Sequence, residues 1–595
     1  MKVFEYPFDS AYILKKQRSL KKELLSDKSS RIKKKIAILT GSTADAVKDI
    51  LELFLLNYGI EPEFYLSEYG QYYEEGLFPS EKLTAFKPDI VYIHTTCRNI
   101  TEFPDIGDSE QQVTDRLSAQ FGHFKEVWDS LREKFGCTII QNNFELPPFR
   151  LLGNSECSDI HGRVNFVNRI NMLFADYARE NQNFCINDIN YLSACYGLDS
   201  WQDSRQWYMY KYALSMNAIP TLAANIAAII KALLGKNKKV LALDLDNTLW
   251  GGVVGDDGVD GISIGKDLPG GQVYSEFQEY VKLHKDIGVV LTVCSKNDYE
   301  NAAAGLNHPD GTLKEQDFTV IKANWENKDR NLLETAEELN LLPESFVFAD
   351  DNPAERAIAA ASTGAAVPEM EGAENYIRIL DRNRYFEVIR LSEDDRRRGE
   401  MYKENAQRAR QQKEFGDYGE FLDSLQMRAE IQDFTPLYLQ RITQLTNKSN
   451  QFNVTTRRYT ESEMEQVYKS PEYIRLYGKL IDKFGDNGVV SVVIGKIKER
   501  ELHIDLWLMS CRVLKREMEL AMLDRLVEEC RKRGIEKIYG YYYPTAKNGM
   551  VKELFGSFGF TKISDEEGNT VWELPLIGYE NKTRHITIGK DKNNG

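Results

Sequence analysis

The chain has 595 residues, 42% of them hydrophobic and 11% aromatic, and a formal charge of −15. That length predicts three or four domains, the composition excludes wholesale disorder, and the acidic balance excludes nucleic acid as the main partner, since phosphate recognition needs clustered Lys and Arg. Eight cysteines without a CxxC pair predict reduced thiols of a cytoplasmic protein, and no uninterrupted apolar run approaches the ~20 residues of a membrane span, so no membrane partner is expected.

In chain order, residues 15 to 35 carry ten Lys or Arg and read as a solvated helix. Strands are then predicted at 35–41, 89–96, 137–143 and 184–189, separated by helical stretches, which implies a parallel, doubly wound sheet. "LAANIAAIIKALLG" (222–235) reads as a helix with a glycine stop, closing a first domain at 1–235. A second α/β domain at 236–390 repeats the rhythm through "LALDLDNTLW", "VVLTVCSKND" and "SFVFADDNPAER". Residues 391–427 are charge-rich and read as a long exposed helical connector. Mixed α and β follow over 428–580, and 581–595 reads as a tail.

The second domain carries the chemistry. Asp244 and Asp246 end an apolar strand, where open α/β sheets place their sites, and their repulsion is tolerable around a divalent cation. Hard oxygen ligands suit Mg²⁺. Thr248 follows; Ser295 ends the next apolar strand; Lys328 stands in "NWENKDRN"; Asp350 and Asp351 end "FVFA". A nucleophile, an acid/base, a hydroxyl, a lysine and further carboxylates form a set suited to phosphoryl transfer through an aspartyl-phosphate.

This ordered set resembles the haloacid dehalogenase (HAD) superfamily of phosphatases. The resemblance implies Asp244 as nucleophile, Asp246 as general acid/base, and Ser295 and Lys328 as holders of the phosphoryl oxygens. It also implies a metal site of Asp244, Asp246 (through its carbonyl), Asp350 and Asp351. Only a glycine-rich flap and one helix separate the first two motifs, so no large cap domain is expected. The longer wording "LDLDNTLWGGVVGDDG", "VCSKND", "ADDNPAER", "SNQFNVTTRRY" and "LWLMSCRVL" resembles FkbH-like proteins. That resemblance implies a multidomain α/β fold: an SGNH-like first domain, a Rossmann-like HAD domain and a mixed GNAT-like last domain. It implies removal of phosphate from a 1,3-bisphosphoglycerate-derived unit and loading of the glyceryl group as a thioester on an acyl carrier protein.

Cys294, beside Ser295, then reads either as the thiol that first accepts the glyceryl group or as a small residue completing a strand. Thr248 and Asn297 are expected at the substrate, and Arg457 and Arg458 along the path of the carrier's phosphopantetheine arm. In the last domain, Lys515 and Glu517 stand where an acetyl-CoA loop needs small residues, which speaks against CoA chemistry. In the first, Ser42 of "LTGST" and Asn99 of "HTTCRN" sit at the positions of a hydrolase whose late His is missing, so that domain reads as non-catalytic. A stand-alone HAD phosphatase and a GNAT-type acyltransferase with a regulatory HAD domain remain as alternatives. An acidic carrier would dock on basic charge, which is concentrated in residues 15 to 35 and at Arg396, Arg397, Arg398, Arg408 and Arg410 of the connector; the connector is the preferred surface, with a solvated helix face as the plain alternative.

Overall fold

The structure, a computed structural model, describes residues 1–589 except 28, 30, 450 and 546. The chain divides into two compact units. One comprises Met1–Phe4, Phe8–Leu234 and Tyr459–Met464; the other comprises Glu5–Pro7, Gly235–Arg458 and Glu465–Gly595.

The first unit is built on five parallel strands, β1 (Ile32–Thr40), β2 (Ile60–Leu66), β3 (Ile90–His94), β4 (Thr138–Asn142) and β5 (Phe184–Asn187), in the order β2-β1-β3-β4-β5. Four were predicted; β2 was not. It pairs on one side only, so it can carry Glu61, Pro62 and Glu63, which hide the apolar signal in the sequence. The basic N-terminal helix runs from Ser10 to Ser26 and buries Ile13, Leu20 and Leu24 between its lysines. The closing helix is Ile219–Leu233. The stretch Met216–Leu233 reaches the length and mean apolarity of a membrane span, though not as the uninterrupted apolar run whose absence was noted. Asn217, Asn225 and Lys231 punctuate it in the sequence, and 67% of it is buried within the protein, as in a core helix.

The second unit holds two sheets. Four parallel strands, β6 (Val240–Leu243), β7 (Val290–Ser295), β8 (Val320–Ala323) and β9 (Phe346–Ala349), lie in the order β8-β7-β6-β9. Alternation along the strands feeds two cores, Leu241, Leu243, Val293 and Val347 on one face and Val240, Ala242, Cys294 and Phe348 on the other. The other sheet comprises β10 (Met427–Asp433), β11 (Phe452–Asn453), β12 (Tyr473–Asp482), β13 (Gly485–Lys498), β14 (Glu501–Met509), β15 (Lys537–Tyr542), β16 (Thr561–Glu566), β17 (Asn569–Pro575) and β18 (Ile586–Ile588). This is the expected mixed α/β block, mostly antiparallel, with parallel pairs β14/β15 and β10/β18.

Two expectations need correction. Residues 581–595 are not a free tail as far as they are described. Asp524, buried on the helix Met518–Lys532, accepts from Tyr579 Oη and from the backbone N–H groups of Lys582 and Thr583, and β18 then pairs with β10. The connector is likewise not an exposed helix. It is three helices, Glu393–Arg396, Arg398–Gln412 and Tyr418–Ser424, which bury Met401, Tyr402, Ala406, Phe421 and Leu422. Its charge masked those apolar positions, and part of that charge is itself internal. Arg408 is 3% exposed and grips Asp482 with two nitrogens, at 2.8 and 2.7 Å, while Arg516 reaches the same carboxylate at 3.0 Å. Arg398 donates to the Gly288 carbonyl and pairs with Asp395. Arg396 and Arg410 are exposed, so the connector offers far less free basic surface than its sequence suggests. Arg408→Ala should destabilise the second unit by about 3–5 kcal/mol, because it leaves a buried carboxylate short of a partner. Chemical unfolding measures it, and a loss below about 1 kcal/mol would mark the pair as solvent-screened.

Candidate active site

Strand register assembles the site. Leu243 of β6 is level with Val293 of β7 and Ala349 of β9, so one further step along each strand brings Asp244, Cys294 and Asp350 abreast. Asp244 donates its backbone N–H to the Ala349 carbonyl at 3.0 Å, which fixes the strand end. Asp244 as a whole is 5% exposed. Lys328, first residue of the helix Lys328–Glu338, places Nζ 2.8 Å from Asp244 Oδ2 and 2.6 Å from Asp350 Oδ2. Burial by itself would lower the Lys328 pKa, but the carboxylates, Asp244 foremost, outweigh it and raise it, so the ammonium stays charged. Burial, and then the Asp244 charge, raises both Asp350 and Asp351.

Asp244, Asp350 and Asp351 each offer an oxygen, all within 4.8 Å of one another. Oδ1 of Asp244 is buried without a hydrogen-bond partner. One lysine against three carboxylates leaves negative charge uncompensated, and this donor set fits a divalent cation.

Among the remaining predicted residues of this domain, Thr248 is tied to the acidic loop and Asn297 to Asp246 by hydrogen bonds. The Thr248 hydroxyl is buried and accepts the Asp351 N–H at 3.3 Å. Ser295 is buried at the end of β7. Asp246 accepts from Asn297 Nδ2 on Oδ2 at 3.0 Å, and on Oδ1 from Trp250 Nε1 at 2.8 Å and the Val254 N–H at 3.0 Å. Two contributors were not singled out in the sequence, although both stand inside quoted motifs. One is Trp250. The other is Arg356, whose Nη1 donates to the carbonyls of Asp350, Asp351 and Met370 and so holds the acidic loop in place.

Other predicted residues are not placed for the expected role. Cys294 is 1% exposed and packs with Leu332, Phe348 and Tyr402. Its thiol donates to the Lys328 carbonyl at 3.4 Å, and burial raises its pKa far above the ordinary thiol value. A thiol so buried and so weakly acidic does not fit the acyl-accepting nucleophile, because the thiolate is the reactive form. It is a core residue.

Arg457 pairs with Asp505 of β14 at 2.7 Å, and Arg458 donates to the Asn447 carbonyl. Arg458 lies close enough to Lys236 to help lower its pKa, after burial and Lys547. Lys236 precedes β6, whereas the carboxylates stand beyond its other end. Neither arginine is brought to them.

Lys515 and Glu517 adopt left-handed backbone, with φ of +63° and +60°, in the loop before the helix Met518–Lys532. Arg512 and Arg516 of the same loop point inward, to Ser510 and Asp482. The segment at β11 fills the gap where β14 and β15 diverge: Val454 N–H donates to the Trp507 carbonyl and the Val454 carbonyl accepts from Tyr543. In the first unit, Ser42 is buried and its hydroxyl has no partner, so no base is aligned on it.

The sheet and its carboxylate–lysine cluster are arranged as in phosphatase domains of the HAD type. The resemblance to FkbH-like proteins holds as well: residues 35–231 match the family model of the FkbH N-terminal domain. The structure is similar to the crystal structure of the N-terminal part of the protein BF1531 from Bacteroides fragilis, which contains a phosphatase domain and is complexed with Mg. The identity is 28% and the TM-score 0.59, covering 63% of this chain and 99% of that one. The ribosomal-protein-S18-alanine N-acetyltransferase from Escherichia coli aligns at 13% identity and a TM-score of 0.20, over 28% of this chain and 99% of that one. A GNAT-family acetyltransferase from Streptococcus pneumoniae aligns at 14% and 0.21, over 25% and 99%. No curated protein matches the sequence.

Proposed function

We propose that this chain is a Mg²⁺-dependent phosphatase that forms an aspartyl-phosphate on Asp244. We further propose that it serves to place a glyceryl unit, drawn from a 1,3-bisphosphoglycerate-type acyl phosphate, on an acyl carrier protein. The observation that carries the reading is the buried set Asp244, Lys328, Asp350 and Asp351 at the C-terminal ends of β6 and β9.

Asp244 attacks phosphorus, and Lys328 and Ser295 hold the phosphoryl oxygens. Asp246 gives a proton to the departing alcohol and takes one from the water that later cleaves the aspartyl-phosphate. Thr248 and Asn297 keep the acidic loop and Asp246 in register. Mg²⁺ bound by Asp244, Asp351 and the Asp246 carbonyl, with Asp350 beside them, would supply charge compensation for the phosphoryl oxygens.

Between β6 and β7 stand only a flap, with the short helix Val254–Asp257, and the helix Pro269–Asp286. No cap domain is interposed there, which leaves room for a substrate tethered to a carrier. With Cys294 in the core, the carrier's own thiol gives up its proton and attacks the acyl carbon; the thioester C–S bond forms as the acyl C–O bond breaks, and inorganic phosphate leaves. The Asp244 site then hydrolyses the remaining phosphate ester. The acyltransferase alternative is weakened by the inward-facing Arg512 and Arg516 and by the filled gap between β14 and β15.

The test is a mass measurement. An acidic, phosphopantetheinylated carrier protein incubated with the full-length chain, 1,3-bisphosphoglycerate and Mg²⁺ should gain the mass of one glyceryl group. Phosphate release that is as fast without the carrier, and an unmodified carrier, would instead favour a stand-alone phosphatase.

A further inference from the structure

The carboxylate of Asp246 is held more completely than a solvated strand end requires, and the residue responsible comes from the flap. After β6 the chain turns back on itself. Thr248 and Leu249 donate to the Leu245 carbonyl, Asn247 adopts φ of +54°, and a parallel bridge joins Asp246 to Trp250. The turn delivers the Trp250 ring into the core that Leu243, Val293 and Leu306 form, with 0% exposure.

The ring cannot slide there. A Cβ added at Gly305, on the helix Tyr299–Leu306, would lie 2.8 Å from Trp250 Cη2 and 2.9 Å from Cζ2. The helix therefore clamps the indole at a position that only glycine permits. From that position Nε1–H reaches Asp246 Oδ1 at 2.8 Å, and the Val254 N–H reaches the same oxygen at 3.0 Å. A carboxylate oxygen has two lone pairs, so Oδ1 is saturated. Oδ2 accepts once, from Asn297, and keeps one lone pair.

We propose that Trp250 is a positioning residue that fixes the rotation of the Asp246 carboxylate, so that Oδ2 is the oxygen that exchanges the proton with the leaving group and the attacking water. The inference rests on the phosphatase reading above and deepens it. Carboxyl torsions are broad, so with only the Val254 N–H left on Oδ1 the plane of the group swings more widely and the open lone pair of Oδ2 faces the reacting atoms for less of the time. Proton transfer depends on geometry before it depends on acidity, and the indole supplies that geometry from a ring already buried for packing.

The experiment is steady-state kinetics of the full-length protein on p-nitrophenyl phosphate with Mg²⁺, comparing wild type, Trp250→Phe, Asp246→Asn and the double variant. Loss of one hydrogen bond to a charged group predicts a fall in kcat of about 10- to 100-fold for Trp250→Phe. KM should stay within about twofold, since the ring does not bind the phosphate. In the Asp246→Asn background the same change should alter kcat by less than about twofold, because the group it positions is no longer an acid/base.

A fall of the same factor in both backgrounds would show a merely structural role and overturn the proposal. So would an unchanged kcat in Trp250→Phe. If Trp250→Phe fails to fold, Gly305→Ala, which presses on the indole from the other side, should give the same background-dependent loss, and its absence overturns the proposal equally. Asp244→Asn separates this inference from the reading beneath it. Turnover surviving in Asp244→Asn, or absent from wild type, removes the phosphatase reading and this inference with it. An inactive Asp244→Asn beside a fully active Trp250→Phe removes this inference alone.

Discussion

Replacing Asp244 with Asn lowers phosphate release by about 10⁴-fold or more, the scale on which removal of a covalent nucleophile acts. The substitution keeps side-chain volume and removes one of three crowded carboxylates, so the fold should persist, with an unfolding midpoint within a few degrees of wild type. The measurement is free phosphate from a phosphate ester with Mg²⁺ present, beside a thermal melt. Phosphatase activity within tenfold of wild type in a folded variant would remove Asp244 from the nucleophile role. Loss of activity together with loss of the fold would not support it, which is why the melt is part of the test.

The second large effect falls on stability as well as turnover. Lys328→Met removes the ammonium that bridges Asp244 and Asp350, both buried, and leaves the carboxylates facing one another. Breaking a buried pair in this way costs about 3–5 kcal/mol, and loss of the phosphoryl contact should drop kcat by at least about 10²-fold. Added cation should compensate part of the missing charge. The Mg²⁺-induced rise in the unfolding midpoint should therefore be larger in Lys328→Met than in wild type. Equal rises in the two proteins would show that the metal and the lysine do not answer to the same carboxylates. Removal of Mg²⁺ with a chelator should leave wild type folded but without turnover, since Lys328 alone still balances part of the cluster.

Much of the site was legible because the chemistry is written locally. A strand of apolar residues that stops at Asp244 and Asp246, another that stops at Ser295 and a third that stops at Asp350 must each expose polar groups at the same edge of a parallel sheet. Lys328 could be assigned by order alone. What order could not supply was side-chain direction. Cys294 and Ser295 are neighbours, yet alternation along β7 sends the thiol into the cluster with Phe348 and Tyr402, where burial disfavours the thiolate. Arg457 looked available because nothing near it in sequence pairs with it; Asp505, 48 residues away, does, and Arg458 is taken by the Asn447 carbonyl.

Trp250 was invisible for a related reason. A tryptophan four residues after Asp246 gives no sign of its role until Gly305, on a later helix, fixes where its N–H points. The connector repeats the point on a larger scale. Its count of arginines described a solvated helix, while Arg408 and Arg516 converge on Asp482, which only the pairing of β12 with β10 and β13 brings beneath them.

By itself the amino-acid sequence determined the α/β class, the succession of blocks and the identity of the carboxylates, lysine and hydroxyls, because strand ends, periodicity and residue chemistry are properties of short segments. The tertiary structure alone decided which thiol is buried, which arginines are already paired, which flap residue holds Asp246 and how three aspartates come within reach of one cation. Those are distances between segments remote in the chain, set by strand register and side-chain packing, and no local pattern encodes them.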